Sequence, residues 1–164
     1  MKSKLIVIDE SVHASIPKTG AVMKQLVELG GDAYSRPSEP LDYIKALIES
    51  QVAGGADYIG VNLDAFGERD PHVAVDMMGE YVEMVRKWGS GVPICIDSSD
   101  DNVLISGLKK WYETGQAGGQ PLINSIKIHT IDKMMALKAD YDFAFVGLLV
   151  GQGAAAGPGG SDSV

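Results

Sequence analysis

Five short apolar runs, separated by longer stretches of helical periodicity, constrain this 164-residue chain more than any other feature. The runs are Leu5–Ile8, Tyr58–Leu63, Pro93–Ile96, Leu122–Ile126 and Phe143–Val150. Each has the length of a strand, and strands that alternate with amphipathic helices imply a parallel sheet with right-handed crossovers. Between them, Leu41–Ala53 places apolar residues at 41, 44, 47 and 48, one face of a helix. Val73–Trp88 does so with Val75, Met78, Val82 and Val85, and Asp101–Glu113 with Leu104, Leu108 and Trp111. Ile131–Ala139 is the shortest such stretch. Pro17–Leu29 reads as a further helix closed by Gly30 and Gly31. In the loop Ser35–Pro40, Ser38 or Pro40 opens the next helix. Gly115, Gly118 and Gly119 follow a helix and precede a strand, which marks a turn rather than a phosphate cradle.

Two architectures use such an alternation: an open doubly wound sheet and a closed (β/α)8 barrel. A full barrel needs ~250 residues. The expectation is an α/β fold of the TIM-barrel type with five βα units, a partial barrel over residues 1–150. Residues 151–164 (GQGAAAGPGGSDSV) then form a Gly-, Ala- and Ser-rich loop or tail where a barrel fragment stops.

Composition removes several functional classes. Lys and Arg number 14 against 22 Asp and Glu, a net charge of −8. That balance argues against nucleic acid or an anionic membrane as partner, since both favour basic patches. No apolar run approaches the ~18 residues of a spanning helix. The N-terminal MKSKLIVIDE is apolar for only four residues before Asp9, too short for a signal peptide. Cys95 is the single cysteine, so no internal disulfide forms, and a reduced, cytoplasmic setting is expected. His13, His72 and His129 lack metal-ligand spacing, and the pairs Met77-Met78 and Met134-Met135 read as core filler.

In parallel α/β proteins, function collects at the carboxyl ends of the strands. The first run leads into Asp9 and Glu10, the second carries Asn62 and Asp64, the third ends in Asp97, Ser98 and Ser99, and the fourth holds Asn124, Ser125 and Lys127. These are hydrogen-bonding groups with no Ser-His-Asp order and no zinc-ligand cluster. They point to a cleft for a flat polar heterocycle. An ionised carboxylate accepts two parallel donors, which an aminopyrimidinone edge supplies as a ring N–H and an exocyclic NH2. An asparagine beside it reads an adjacent ring nitrogen or carbonyl. Strand-end Asp and Asn also cap helices, but in Asp97-Ser98-Ser99-Asp100-Asp101 that duty falls to Ser99 or Asp100.

The segments GADYIGVNLDAFGERDP, VPICIDSSDDNVLISGLKK, PLINSIK and YDFAFVGLLVG, in this order after Asp9-Glu10, resemble the pterin-binding barrel of methyltetrahydrofolate:corrinoid-protein methyltransferases. That family includes the folate-binding module of cobalamin-dependent methionine synthase. The likeness spans residues 4–151 and is strongest at ICIDSS and LINS. The second strand is looser, with Gly60-Val61-Asn62 where the family has Asp-Leu-Asn, and Asp9-Glu10-Ser11 stands where it has Gly-Glu-Arg. The resemblance implies a pterin site of Asp97, Asn124, Asn62, Glu10, Ser98 and Ser125. The family adds an Asp from a sixth strand and an Asn from a seventh, so no catalytic residue is assigned among these five strands.

By this resemblance the substrate is methyltetrahydrofolate, and the methyl acceptor or donor is the cobalt of a corrinoid (cobalamin) carried by a partner protein. A homodimer stays open. The methyl sits on a tertiary amine, a poor leaving group, so N5 must be protonated or strongly hydrogen-bonded in the transition state. The barrel orients and the cofactor does the hard chemistry. Two rivals stand beside this reading. Dihydropteroate synthase shares the barrel, but its Asn-rich, Ser-Phe-Ser loop is replaced after strand one by SVHASIPKTG. A non-catalytic subunit could instead bind only the pterin or the corrinoid protein. An unrelated open α/β nucleotide binder lacks support without a glycine fingerprint.

Overall fold

The structure, a computed structural model, describes residues 5–115 and 118–148. Five strands, β1 (Ile8–His13), β2 (Tyr58–Asn62), β3 (Ile94–Asp97), β4 (Leu122–Lys127) and β5 (Ala144–Leu148), form one sheet in the order β1-β2-β3-β4-β5. Every neighbouring pair is parallel. Six helices lie between them: α1 (Pro17–Leu29), α2 (Glu39–Ala53), α3 (Asp64–Gly67), α4 (Pro71–Trp88), α5 (Asp101–Glu113) and α6 (Ile131–Ala136). A sequential parallel order with right-handed crossovers puts all helices on one face. This is the architecture of part of a (β/α)8 barrel, as the apolar alternation predicts.

The helices begin where local chemistry dictates. The Ser38 hydroxyl accepts from the Leu41 N–H at the start of α2, and the Asp70 carboxylate accepts from the His72 N–H at the start of α4, with Pro71 in its first turn. The stretch read as a helix over Ile131–Ala139 is α6 followed by a 3-10 turn, Leu137–Ala139. Between sheet and helices lies the core. Ile59, Val61, Ile94, Ile96 and Ile123 are fully buried, as are Met78, Val82, Leu104, Leu108 and Met134. Each such side chain contributes ~1.5–3 kcal/mol by leaving water. Gly107 lets α5 close on β3, because a Cβ there would lie 2.9 Å from Met78 Cγ and 3.0 Å from Ile96 Cδ1.

One strand differs from its expected place. The apolar run Leu5–Ile8 is not β1: Leu5, Ile6 and Val7 are 82%, 60% and 44% exposed. Pairing starts where the Val7 carbonyl accepts from the Asp57 and Tyr58 N–H groups at 2.8 and 3.2 Å. Asp9 and Glu10 therefore sit inside the strand, whose polar end is His13. At the other edge, the run Phe143–Val150 contributes β5, and its residues 149 and 150 lie outside the described residues, as do 151–164.

Candidate functional site

The pairing register sets four polar side chains in one row. His13 lies opposite Asn62, Asn62 opposite Asp97, and Asp97 opposite Asn124. The residues one position earlier, Val12, Val61, Ile96 and Ile123, are fully buried, and Ile96 packs toward Gly107 of α5. Side chains alternate across a strand, so the row points away from the helices, toward the face that lines the interior of a barrel.

Within the row the hydrogen bonds are unevenly distributed. Asn62 Nδ2 donates to Asp97 Oδ2 at 3.1 Å, and Asn62 Oδ1 accepts from the Asp64 N–H at 3.1 Å. Both ends of that amide are engaged by the protein, which makes Asn62 a support for Asp97. Asp97 Oδ1 and the Asn124 amide have no partner among the described residues. Asp97 is half-buried, and burial pushes its carboxyl above the usual aspartate range. The Asn62 hydrogen bond opposes that rise, the Glu10 and Asp64 carboxylates add to it, and His13 counters it. An acceptor with unmet capacity beside an amide with both functions free is the arrangement that an aminopyrimidinone edge satisfies.

The loop after β3 is fixed by residues behind the row. Asp100 caps α5 by accepting from the Asn102 N–H at 2.8 Å, so Asp97 has no capping duty. Asp64 accepts from the Ser98 hydroxyl at 2.5 Å and the Ser99 N–H at 2.8 Å. The Ser98 hydroxyl also accepts from the Asp100 N–H at 3.0 Å and is buried, so its partners are supplied by the loop. Lys127 donates to the Ser99 carbonyl. Ser125 is the extra residue of a bulge in β4, where Asn124 and Ile126 pair with consecutive residues of β5, and the Asn124–Ser125 peptide is cis. Glu10 is exposed, and its Cγ is 3.3 Å from where a Gly60 Cβ would stand, one layer below the row. Cys95 shares that layer, fully buried, and burial with the Asp97 and Glu10 charges pushes its thiol up to about 12, an unreactive state.

The structure thus brings Asn62, Asp97 and Asn124 together, sets Glu10 beneath them, and turns Ser98 into the loop. Two residues stand with this row that the sequence reading left outside the candidate site. Asp64 was visible only as a second polar group after Asn62, and its role depends on a contact between the start of α3 and the loop after β3. His13 looked like a lone histidine, because its place depends on the register of β1. No group of three or more His, Cys, Asp or Glu among the described residues could hold a metal ion. No helix among them is long and apolar enough to cross a membrane.

A polar row toward the carboxyl ends of parallel strands stands where α/β enzymes place their small-molecule sites. A family model described as pterin binding enzyme matches residues 26–155, well over half of the chain. The chain belongs to this family of enzymes, whose fold is the TIM barrel. Asn62, Asp97 and Asn124 fall inside the matched segment, and β1, with Glu10 and His13, lies before it. No curated protein matches the chain.

Proposed function

We propose that Asp97 and Asn124 hold the aminopyrimidinone edge of a pterin, and that the protein moves a methyl group between N5 of methyltetrahydrofolate and the cobalt of a corrinoid carried by a partner protein in the cytoplasm. The observation that carries the pterin reading is the row itself. Asp97 is half-buried with one oxygen unpartnered among the described residues, and so is the neighbouring Asn124 amide. A ring N–H and an exocyclic NH2 would satisfy the carboxylate, and the amide would read the adjoining acceptor.

What the chain supplies is orientation. A ring held by two strands presents N5 in one direction to the incoming corrinoid protein. In the transfer, the N5–methyl bond breaks, N5 keeps the electron pair and takes a proton, and the reduced cobalt supplies the pair for the new bond. Family membership supports pterin chemistry, and the absence of a Ser-Phe-Ser sequence from SVHASIPKTG, which runs from the end of β1 into α1, favours methyl transfer over dihydropteroate formation.

Calorimetry with methyltetrahydrofolate tests the first half. The wild type binds, and Asp97→Ala weakens binding by about 1–3 kcal/mol, the cost of leaving ligand donors unpaired. Unchanged affinity removes Asp97 from the site. A spectroscopic assay with reduced corrinoid protein tests the second half. Dihydropteroate formation from a pterin diphosphate and p-aminobenzoate, with no transfer to corrinoid, would select the rival enzyme instead. Pterin binding with neither activity would select a binding subunit.

A further inference from the structure

β1 contains a device that decides which of its side chains joins the polar row. Ile8 and Asp9 pair with Tyr58 and Ile59, and Val12 and His13 pair with Val61 and Asn62. Two residues, Glu10 and Ser11, therefore oppose the single residue Gly60. Without that extra residue, Val12 would stand opposite Asn62 and put an isopropyl group in the row. With it, Val12 turns into the core, where it is fully buried, and His13 turns into the row. A one-residue slip exchanges the faces of a strand, and bulges near active sites re-aim side chains in this way.

The bulge is held on both sides. The Asp9 carboxylate accepts from the Ser11 N–H at 2.9 Å and from the Ser11 hydroxyl. On β2, Gly60 leaves the room it needs, because a Cβ there would lie 2.8 Å from the Asp9 carbonyl oxygen. His13 is oriented as well. Its Nδ1 accepts from the Ser15 N–H at 3.1 Å, so a neutral ring carries its proton on Nε2. Nε2 has no partner among the described residues, and the imidazole is half-buried. An oriented donor with no protein acceptor among the described residues, on a strand bent to present it, is open to a ligand atom.

We propose that His13 is a ligand contact, donating from Nε2 to an acceptor on the second ring of the bound pterin, and that the bulge at Asp9, Ser11 and Gly60 aims it. This rests on the pterin reading of the row. Asp97 and Asn124 sit on adjacent strands, ~4.8 Å apart, and grip one ring edge, whereas β1 lies two strands from Asp97, at ~9–10 Å. A fused bicycle lying along the row spans that distance, and on this reading the site favours bicyclic ligands with a hydrogen-bond acceptor on the ring farther from Asp97.

Two readouts on the whole protein test this. In calorimetry with methyltetrahydrofolate, His13→Ala binds about 3- to 10-fold more weakly than wild type, the range of one lost hydrogen bond. In wild type labelled with 15N at histidine, the His13 Nε2 resonance moves on saturation with the same compound. Should His13→Ala fail to fold, the Nε2 signal alone decides. If the wild type binds but the Nε2 resonance stays put, His13 is no contact, whatever the variant's affinity, and the Asp97–Asn124 site still stands. Unchanged affinity in a folded His13→Ala overturns the donor role in the same way. A wild type that binds no methyltetrahydrofolate and no simpler pterin such as 6-methylpterin overturns this inference and the pterin reading together.

Discussion

The two faces of the sheet are built from the same strands and obey opposite rules. On the helix side, Ile59, Val61, Ile94, Ile96 and Ile123 are fully buried with apolar neighbours. On the other side, one residue along, stand Asn62, Asp97 and Asn124, half-buried, and two of the three keep hydrogen-bonding capacity unmet among the described residues. A half-buried carboxylate near Glu10 and Asp64 costs the fold free energy. The difference locates function: the helix face holds the strands in register, and that register gathers on the opposite face the polar groups that stability alone would not select.

Substitutions on the two faces should separate accordingly. The largest effect falls on the helix side. Ile96→Ala, which leaves a cavity against Met78 and Gly107, destabilises by about 2–5 kcal/mol in denaturant melts. The folded fraction binds methyltetrahydrofolate as the wild type does. An affinity loss in that variant would show that the faces are not independent.

Asp64→Ala should blur the separation to a known degree. It removes the acceptor of the Ser98 hydroxyl and the Ser99 N–H. The cost is about 1.5–3 kcal/mol of stability, because those bonds are charge-assisted. Binding weakens with it, since the loop that follows Asp97 loosens. A variant with wild-type stability would mean that Asp64 only decorates the loop.

A smaller effect is the response to pH. Burial raises the Asp97 carboxyl above its range in an unfolded chain. The native state therefore holds that proton more tightly. The stability Asp97 contributes is fully present below the ordinary aspartate range and is lost as pH rises through the raised value. Ligand affinity slopes the other way. A pterin's donors require the ionised carboxylate, so binding weakens as pH falls through that same value. Calorimetry across about pH 4 to 8 should show this slope in the wild type and not in Asp97→Asn. A slope common to both would place the titrating group elsewhere.

Much of this was legible in the sequence because it depends on short-range pattern. The apolar periods placed α4, α5, β2, β3 and β4 within a few residues, and the cap that relieves Asp97 of that duty was narrowed to Ser99 or Asp100, of which Asp100 is the one. Asn62 and Asp97 stood at strand ends, where local order alone announces them, whereas Asn124 lies within β4 and joins them through its register with Asp97. What was hidden depends on pairing across the sheet. Leu5–Val7 reads as a strand by composition, yet it has few neighbours to bury it, and pairing begins only at Val7. The β1 bulge leaves no periodic trace, since Glu10 and Ser11 are two ordinary polar residues until Gly60 is set opposite them. His13 therefore entered the row only once the register was known. The Asp64–Ser98 contact joins the first residue of α3 to the loop after β3, 34 residues apart, and has no local signature.

The most direct test of whether Asp97 is kept for a ligand rather than for the fold is Asp97→Asn, with thermal melting and calorimetry run on the same preparation. Asparagine keeps the shape and still accepts from Asn62, but it removes the half-buried charge. We expect the melting temperature to hold or rise by roughly 1–3 °C, since the charge effect is screened at a half-exposed site. Affinity for methyltetrahydrofolate should fall about tenfold or more, as two donors face an acceptor that is half donor itself. A lower melting temperature with unchanged affinity would contradict this and make Asp97 a structural residue.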